Sequence, residues 1–598
     1  MSTPTSSSSF ALAKVLPSSV TAWMADRPHA VDTIMLFVAF QIAYAATNPS
    51  IQWQYMAIYG LGLLLVTKVA HSPLEFFKGG IADTATDRSS YAILAGSTFI
   101  SWIFAKSIQN ASILGARYGI LGGFAYGTWY IAFLSVGVVC YYLRTNQGYT
   151  SLQEAIFERY GSIASISYSL AVLFRLYQEI WSNSLVVASF YGDYNTASWW
   201  IAALLSTFIP FVYVSLGGLR SSLISDVIQA LLAVILLVTV LGVIGKQVNE
   251  LSDECEVAGR GDCNLFQWDT NVGVATNTLE GGWDLAIVGL IQGLFSYPFF
   301  DPVLTDRAFL ASPKTMLRAF LTGGVISFLF IFFFGFIGIF GNLAATVDET
   351  IDPALLTGIS TGIPADVARY LGTGVFTITN IIFMTTSIST LDSAFASTAK
   401  LFAELRTFFW KWKPEKLANV TDQHVALGRF AIRFIALLGT LPLLQDPSAL
   451  DATTVSGTVV LGLGPPIMAL YLSNENPNAL DWQHLTVGEG SYAKLLWFNL
   501  VGSVATLGAF VVFFGLEKYV LSKVVPLYAW HAQVLEVHEG KSVHGMGNDE
   551  LSHKLDRSNE DHDKELESID SSSEEVASGG SAGEEDNDTS TKLEADKV

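Results

Sequence analysis

Thirteen stretches of largely apolar residues recur between positions 31 and 516, each close to the roughly 20 residues that a helix needs to cross about 30 Å of hydrocarbon. That repetition leaves few folds open, because a backbone in lipid must satisfy its own hydrogen bonds and a helix does so segment by segment. Of the 598 residues, 51% are hydrophobic and only 14% charged, against about 25% charged in soluble domains. The chain is therefore expected to be an all-α, polytopic membrane protein.

The expected spans are 31–48 and 52–71, then 89–111, 118–143, 158–190, 197–216 and 222–246. A polar break follows at 247–283, and then 284–300, 317–343, 370–402, 425–445, 452–473 and 492–516. They divide the chain into a polar N-terminal segment (1–30), two leading helices (31–72), a ten-helix core (89–473), an additional helix (492–516) and an acidic tail (541–598). The first thirty residues hold no apolar core of a cleavable leader, so insertion is expected to use the first span.

A net charge of −20 sits largely in the tail, where residues 541–598 carry 17 Asp and Glu against 6 Lys and Arg. Almost without aromatic or β-branched side chains, that tail cannot offset its ordering entropy and reads as disordered. Ser571-Ser572-Ser573 before Glu574-Glu575 suits either a phosphorylation target or a plain solubilising segment. Cys140 lies in a span, whereas Cys255 and Cys263 share the polar break. This scatter makes no metal site or disulfide framework, though a single loop bridge stays open if the loop meets an oxidising compartment.

With alternating spans, Arg144, Arg220, Arg307, Lys314, Arg318, Arg406, Lys411, Lys413 and Lys416 share one side, which the positive-inside rule makes cytoplasmic. The loops at 247–283 and 344–369, nearly free of Lys and Arg, then face outward. Two interruptions stand inside spans. Pro298 in Ser296-Tyr297-Pro298, and Gly462, Gly464, Pro465 and Pro466 further on, remove backbone donors and free carbonyls. Such breaks are either packing kinks or the broken helices that mark transport sites.

Four segments carry a resemblance. They are Glu75-Phe76-Phe77-Lys78-Gly79-Gly80; Tyr213-Val214-Ser215-Leu216-Gly217-Gly218-Leu219-Arg220-Ser221 with Ser225-Asp226-Val227-Ile228-Gln229; Asp301-Pro302 through Asp306-Arg307-Ala308-Phe309-Leu310-Ala311; and Ser389-Thr390-Leu391-Asp392-Ser393. In this order, over about 75–516, the chain resembles the sodium/solute symporter family. The resemblance implies a leucine-transporter-like core of two inverted five-helix repeats, with ion and solute held between the broken first and sixth core helices. The stretch from Trp102 to Tyr118-Gly119 further resembles the urea-transporting branch of that family.

The resemblance also implies a Na⁺ site, Na⁺ being the coupling ion. Ser389 and Thr390 would give hydroxyls, Thr386 its carbonyl, and Ser97 and Ile100 the main-chain carbonyls of the first core helix. The residues alone allow a plainer account, since Ser and Thr in apolar helices often bond back to carbonyls four residues earlier. Asp226, three residues from Gln229 and on its face, is either an ion-release group, as the resemblance suggests, or a helix-start acid near Arg220. Lys106, with Gln109 and Asn110, is costly within a membrane unless paired or hydrated, so it is a solute-site candidate. Arg175 and Glu179, four apart, can pair, as a helix tie or at the solute site. Gln292, Ser296 and Tyr297 flank the proline break and are further solute contacts, with Trp102 or Phe295 as a cap.

The expected function is secondary active transport: Na⁺-coupled symport of a small polar solute by alternating access, in which ion and solute strengthen each other's binding reciprocally. The alternatives are a proton-coupled symporter of the same fold, with Lys106 or Glu179 titrating and a solute that is urea-like, and a solute sensor signalling through its tail. No Ser/His/Asp set, metal cluster or phosphate-cradling glycine loop has workable spacing, so no enzyme activity is expected. The expected partners are the solute and the lipid bilayer, with no nucleic acid, and the expected location is the plasma membrane. Nothing in the sequence sets an oligomeric state.

Overall fold

The computed structural model describes residues 23–79, 87–257, 282–347, 362–406 and 421–445. The expected spans 452–473 and 492–516, the Gly462 to Pro466 break, Cys263 with its loop bridge, and the acidic tail lie outside the described residues. Every element described is helical. Six helical stretches, together with one bent pair, are long and apolar enough to cross a membrane among the described residues.

Two leading helices, α1 (Ala30–Thr47) and α2 (Ile51–Val66), pack on each other. The second stops short of the expected 52–71, because Ser72 and Pro73 start a separate short helix, α3 (Pro73–Lys78), whose Glu75 amide donates to the Ser72 hydroxyl at 3.2 Å. The expected span 89–111 is in fact two helices, α4 (Asp87–Ser101) and α5 (Ala105–Tyr118), bent by 57°. No glycine or proline stands between Ser101 and Ala105, so local propensity does not announce this break.

Next come α6 (Ile120–Gly127), a 3₁₀ turn (Thr128–Ile131) and α7 (Ala132–Gln147), which cross together. Helix α8 (Leu152–Ala188) begins earlier than the expected 158. The Ser151 hydroxyl accepts from the Glu154 amide at 3.1 Å and caps it there. The expected spans 197–216 and 222–246 run on as α9 (Ala197–Val257), bent at Gly218, so the polar break begins beyond Val257. Gly218 has φ of 58°, and a Cβ there would strike the carbonyl oxygen of Phe76. Only glycine meets both demands.

The second half of the described core opens with α10 (Gly282–Phe295), a 3₁₀ turn (Tyr297–Phe300), α11 (Pro302–Thr305) and another 3₁₀ turn (Asp306–Phe309). It continues through α12 (Pro313–Val347), α13 (Ile363–Tyr370), α14 (Thr373–Leu405) and α15 (Asp422–Thr440). Helix α14 is the hub, buried at nearly every position from Thr379 to Glu404 and packed most extensively on α9. Helices α5 and α12 approach so closely that a Cβ at Gly338 would strike the Ser112 carbonyl, the small-residue contact typical of membrane helices. Outward, α9 and α15 expose Leu231, Val238 and Leu437, an apolar face suited to lipid.

Candidate ion and solute sites

The α4–α5 break leaves carbonyls with no helical partner, and other helices supply donors. Tyr130 donates its hydroxyl to the Trp102 carbonyl at 3.2 Å, and the Thr390 hydroxyl reaches the Ser101 carbonyl at 3.5 Å. Irregular backbone at membrane depth is tolerated where protein surrounds it in this way. The second break, at Ser296 before Pro298, lies opposite the first, with the Trp102 and Tyr297 rings 6.0 Å apart.

Between the two breaks runs a buried ionic network. Glu179 accepts from Lys106 at 2.7 Å and pairs with Arg175 on the same helix. Arg175 also donates to Asp301 at 3.0 Å, and Asp301 accepts the Trp102 indole N–H at 2.9 Å while capping α11 through the Val303 amide. Asn183 donates to Glu179 at 2.8 Å, and the Arg175 guanidinium lies 4.3 Å from the centre of the Tyr297 ring and 5.3 Å from that of Phe104. The charged side chains here, two cations and two carboxylates, are all fully buried. The Tyr297 hydroxyl, Arg175 Nε and Asn183 Oδ1 are buried without a hydrogen-bond partner. Such groups are where a ligand has something to bind.

Beneath the α4 side of the break lies a second cluster, rich in hydroxyls. Asp226 accepts from Ser97 at 2.6 Å, Ser101 at 2.9 Å and Ser389 at 2.7 Å, and from the Arg307 guanidinium at 2.9 Å. Arg307 also donates to Ser97, Ser101 and Ser393, each at 2.7 Å, and to the Val303 carbonyl at 2.6 Å. Asp392 accepts from Tyr213, from Ser222 at 2.7 Å, and from Ser225 and Ser393 at 3.0 Å. All of these side chains are buried, the carboxylates and most hydroxyls completely. Hydroxyl, carboxylate and carbonyl oxygens are hard donors suited to an alkali cation. No group of three or more His, Cys, Asp or Glu poised for a metal occurs among the described residues.

Of the expected ion ligands, Ser97 and Ser389 converge on one carboxylate from helices in different parts of the chain, Ser97 through its side-chain hydroxyl and not the main-chain carbonyl expected of it. Thr390 bonds back to the Thr386 carbonyl at 3.0 Å, and Thr386 to the Ile382 carbonyl at 2.9 Å, as the plainer account of these residues allows. The Ile100 carbonyl accepts from the Ile103 amide at 3.1 Å, at the edge of the break. Trp102, Lys106, Glu179 and Tyr297 share the ionic network. Asn110 reaches Tyr126 at 3.2 Å, Gln292 accepts from Trp129 at 2.9 Å, and Gln109 and Ser296 are buried beside them.

Four expectations are corrected. Asp226 stands well inside α9 rather than at a helix start, and it pairs with Arg307; Arg220 is bound instead to Glu75 at 2.6 Å. Gln229 turns to Tyr59 at 2.8 Å and takes no part in the Asp226 cluster. Phe295, a candidate cap, is 71% exposed and faces away from the site, and Arg307 is no loop charge but a buried one. Sequence reasoning passed over Asp301, Arg307 and Asp392 as site residues. The available signal was a charged residue directly after a proline break, or inside a hydroxyl-rich span.

A family model described as the sodium:solute symporter family matches residues 88–472. A "probable urea active transporter 2" of Schizosaccharomyces pombe is 22% identical over 291 residues, 45% of this chain and 41% of the relative, so the chain spans less than half the length of that curated relative. A Na⁺-coupled sialic acid symporter, solved in a substrate-bound outward-open state, superposes with a TM-score of 0.55 at 16% identity over 77% of this chain and 96% of that one. That likeness is one of fold. With the family model reaching from α4 to beyond α15, and helical breaks facing each other across buried polar clusters, the chain belongs to the sodium:solute symporter family and is a polytopic, all-α membrane protein.

Proposed function

We propose that this protein couples inward movement of Na⁺ to uptake of a small, uncharged, hydrogen-bonding solute, with urea the first to test. The observation that carries this reading is the charge balance of the network between the breaks. Two cations and two carboxylates already cancel there, so a charged solute would bring an uncompensated charge into a dry site, at high cost. A compact dipolar molecule would instead accept from Arg175 or Tyr297 and donate to Asn183, while lying against Trp102 and Phe104. The name of the yeast relative supports urea in particular. Lys106, Gln109, Asn110, Glu179, Gln292 and Ser296 would line or support that pocket.

Ser97, Ser101, Ser389 and Asp226, with Thr390, Thr386 and Ile100 contributing at the break, would hold Na⁺ against α4 and α14. Replacing its water shell ties the first break to the hub helix, and solute binds the arrangement so stabilised. The coupling must run both ways. Asp226 would then be a ligand of the ion rather than only its exit group.

The experiment is uptake of labelled urea into proteoliposomes holding the full chain, with Na⁺ or choline outside and with or without a pH gradient. Na⁺-dependent uptake, competed by urea analogues, is expected. Uptake that follows pH and ignores choline replacement selects the proton-coupled reading, and no urea uptake under any gradient removes urea.

A further inference from the structure

The ion cradle already contains a cation. Arg307 lies completely buried in it, and its Nε and Nη2 donate to Ser97, Ser101, Asp226 and Ser393, the kind of oxygen set an alkali ion would take. Its remaining Nη1 returns to the Val303 carbonyl, one turn back on its own segment. We propose that Arg307 is a tethered competitor of the transported cation: its guanidinium fills the cradle when the ion is absent and must leave Asp226 when the ion enters. This rests on the reading of the cradle as the ion site.

Three features support the exchange. Two carboxylates, Asp226 and Asp392, share the cluster with a single guanidinium. Withdrawal of Arg307 would leave a site of carboxylate and hydroxyl oxygens with no cation in it, and its return would repel whatever cation had entered. Asp392 holds four hydroxyl donors of its own, so the departure of Arg307 does not strip it of partners. Arg307 also sits on the short 3₁₀ turn Asp306–Phe309 just after the second break, not on a long helix. Its neighbour Asp306 pairs with Lys400 on α14, which ties this turn to the hub, so a movement of the broken segment that breaks this tie would carry Arg307 out of the cradle. The device would empty the site after each cycle without a counter-ion from solution.

The test measures ²²Na⁺ binding to the purified full chain by scintillation proximity, beside the uptake assay. Arg307→Ala is expected to bind Na⁺ at least tenfold more tightly than the wild type, and millimolar free guanidinium is expected to reverse that gain in Arg307→Ala while leaving the wild type unaffected. Loss of a merely structural residue would weaken binding or leave it unchanged. Should the alanine variant fail to remain monodisperse, Arg307→Lys, with fewer donors to reach the four oxygens, is expected to gain affinity by a smaller factor. Na⁺ binding no tighter in the variants than in the wild type overturns the proposal even if wild-type uptake is Na⁺-driven. Uptake indifferent to Na⁺, with tight and guanidinium-sensitive Na⁺ binding in Arg307→Ala, supports it while removing Na⁺ coupling from the wild type.

Discussion

The two buried clusters meet at the first break and at the segment after the second, yet they draw on different helices and are built on opposite plans. Between the breaks, Lys106, Arg175, Glu179 and Asp301 cancel one another, and aromatic faces fill the gaps. Around Asp226 and Asp392, hydroxyls from Ser97, Ser101, Ser222, Ser225, Ser389, Ser393 and Tyr213 surround two carboxylates with one guanidinium. A neutral, aromatic-lined site suits an uncharged solute, and a negative, hydroxyl-lined one suits a cation. On the proposed reading, two sites with different charge balance would let one bundle recognise both.

The largest effect is expected where that balance is broken outright. Glu179→Gln leaves Lys106 and Arg175 facing each other with one carboxylate fewer, and losing a partner from a buried pair costs about 3–5 kcal/mol. A marked fall in Tm together with lost solute binding is expected; a Tm within one degree of the wild type would mean that the network is hydrated rather than dry.

The comparison sharpens with Ser389→Ala plus Thr390→Ala, which removes hydroxyls from the cation cluster alone. Na⁺ activation of uptake is expected to shift about tenfold to higher concentration, a change of about 1.4 kcal/mol, with solute affinity at saturating Na⁺ retained and expression intact. Unchanged Na⁺ activation would refute the ion-site assignment.

On the other side, Tyr297→Phe removes a hydroxyl that has no protein partner. Stability should hold within about 0.5 kcal/mol, while solute affinity falls several-fold, the value of one hydrogen bond of about 0.5–1.5 kcal/mol. Equal solute affinity would place the solute elsewhere.

The pair Glu75–Arg220 lies outside both clusters and gives the reference for a solvated ion pair. Burial alone would raise the Glu75 carboxyl, but the His71 amide and the Arg220 guanidinium hold it below its ordinary range. Its contribution, about 1 kcal/mol or less, is therefore complete above the ordinary glutamate pKa and is lost as pH falls through the lowered value. Wild type and Glu75→Gln should differ slightly in Tm at pH 7 and converge as the pH falls through the lowered value, below the ordinary glutamate range. A gap that widens on acidification would reverse the assigned sign.

How much was legible follows from the range of each interaction. The spans showed because crossing lipid is a demand on about 20 successive residues. The second break showed because proline disturbs its own helix. The first break entered only through the family resemblance, since Ser101 to Ala105 contain neither glycine nor proline and the bend is held by Tyr130 and Thr390 from elsewhere. Phe295 was misplaced for a related reason: adjacency to a break says nothing about which way a ring turns.

By itself, the sequence determined an all-α polytopic bundle, the hydroxyl-rich α14 and the costly intramembrane charges. Each of these is a property of one residue or one helix in lipid. Only the tertiary structure decided that Asp226 meets Arg307, that Trp102 meets Asp301, and that Lys106 and Arg175 share Glu179. Most of those partners come from separate helices, and a charge buried in hydrocarbon takes whichever opposite charge the helix crossings bring within hydrogen-bond reach.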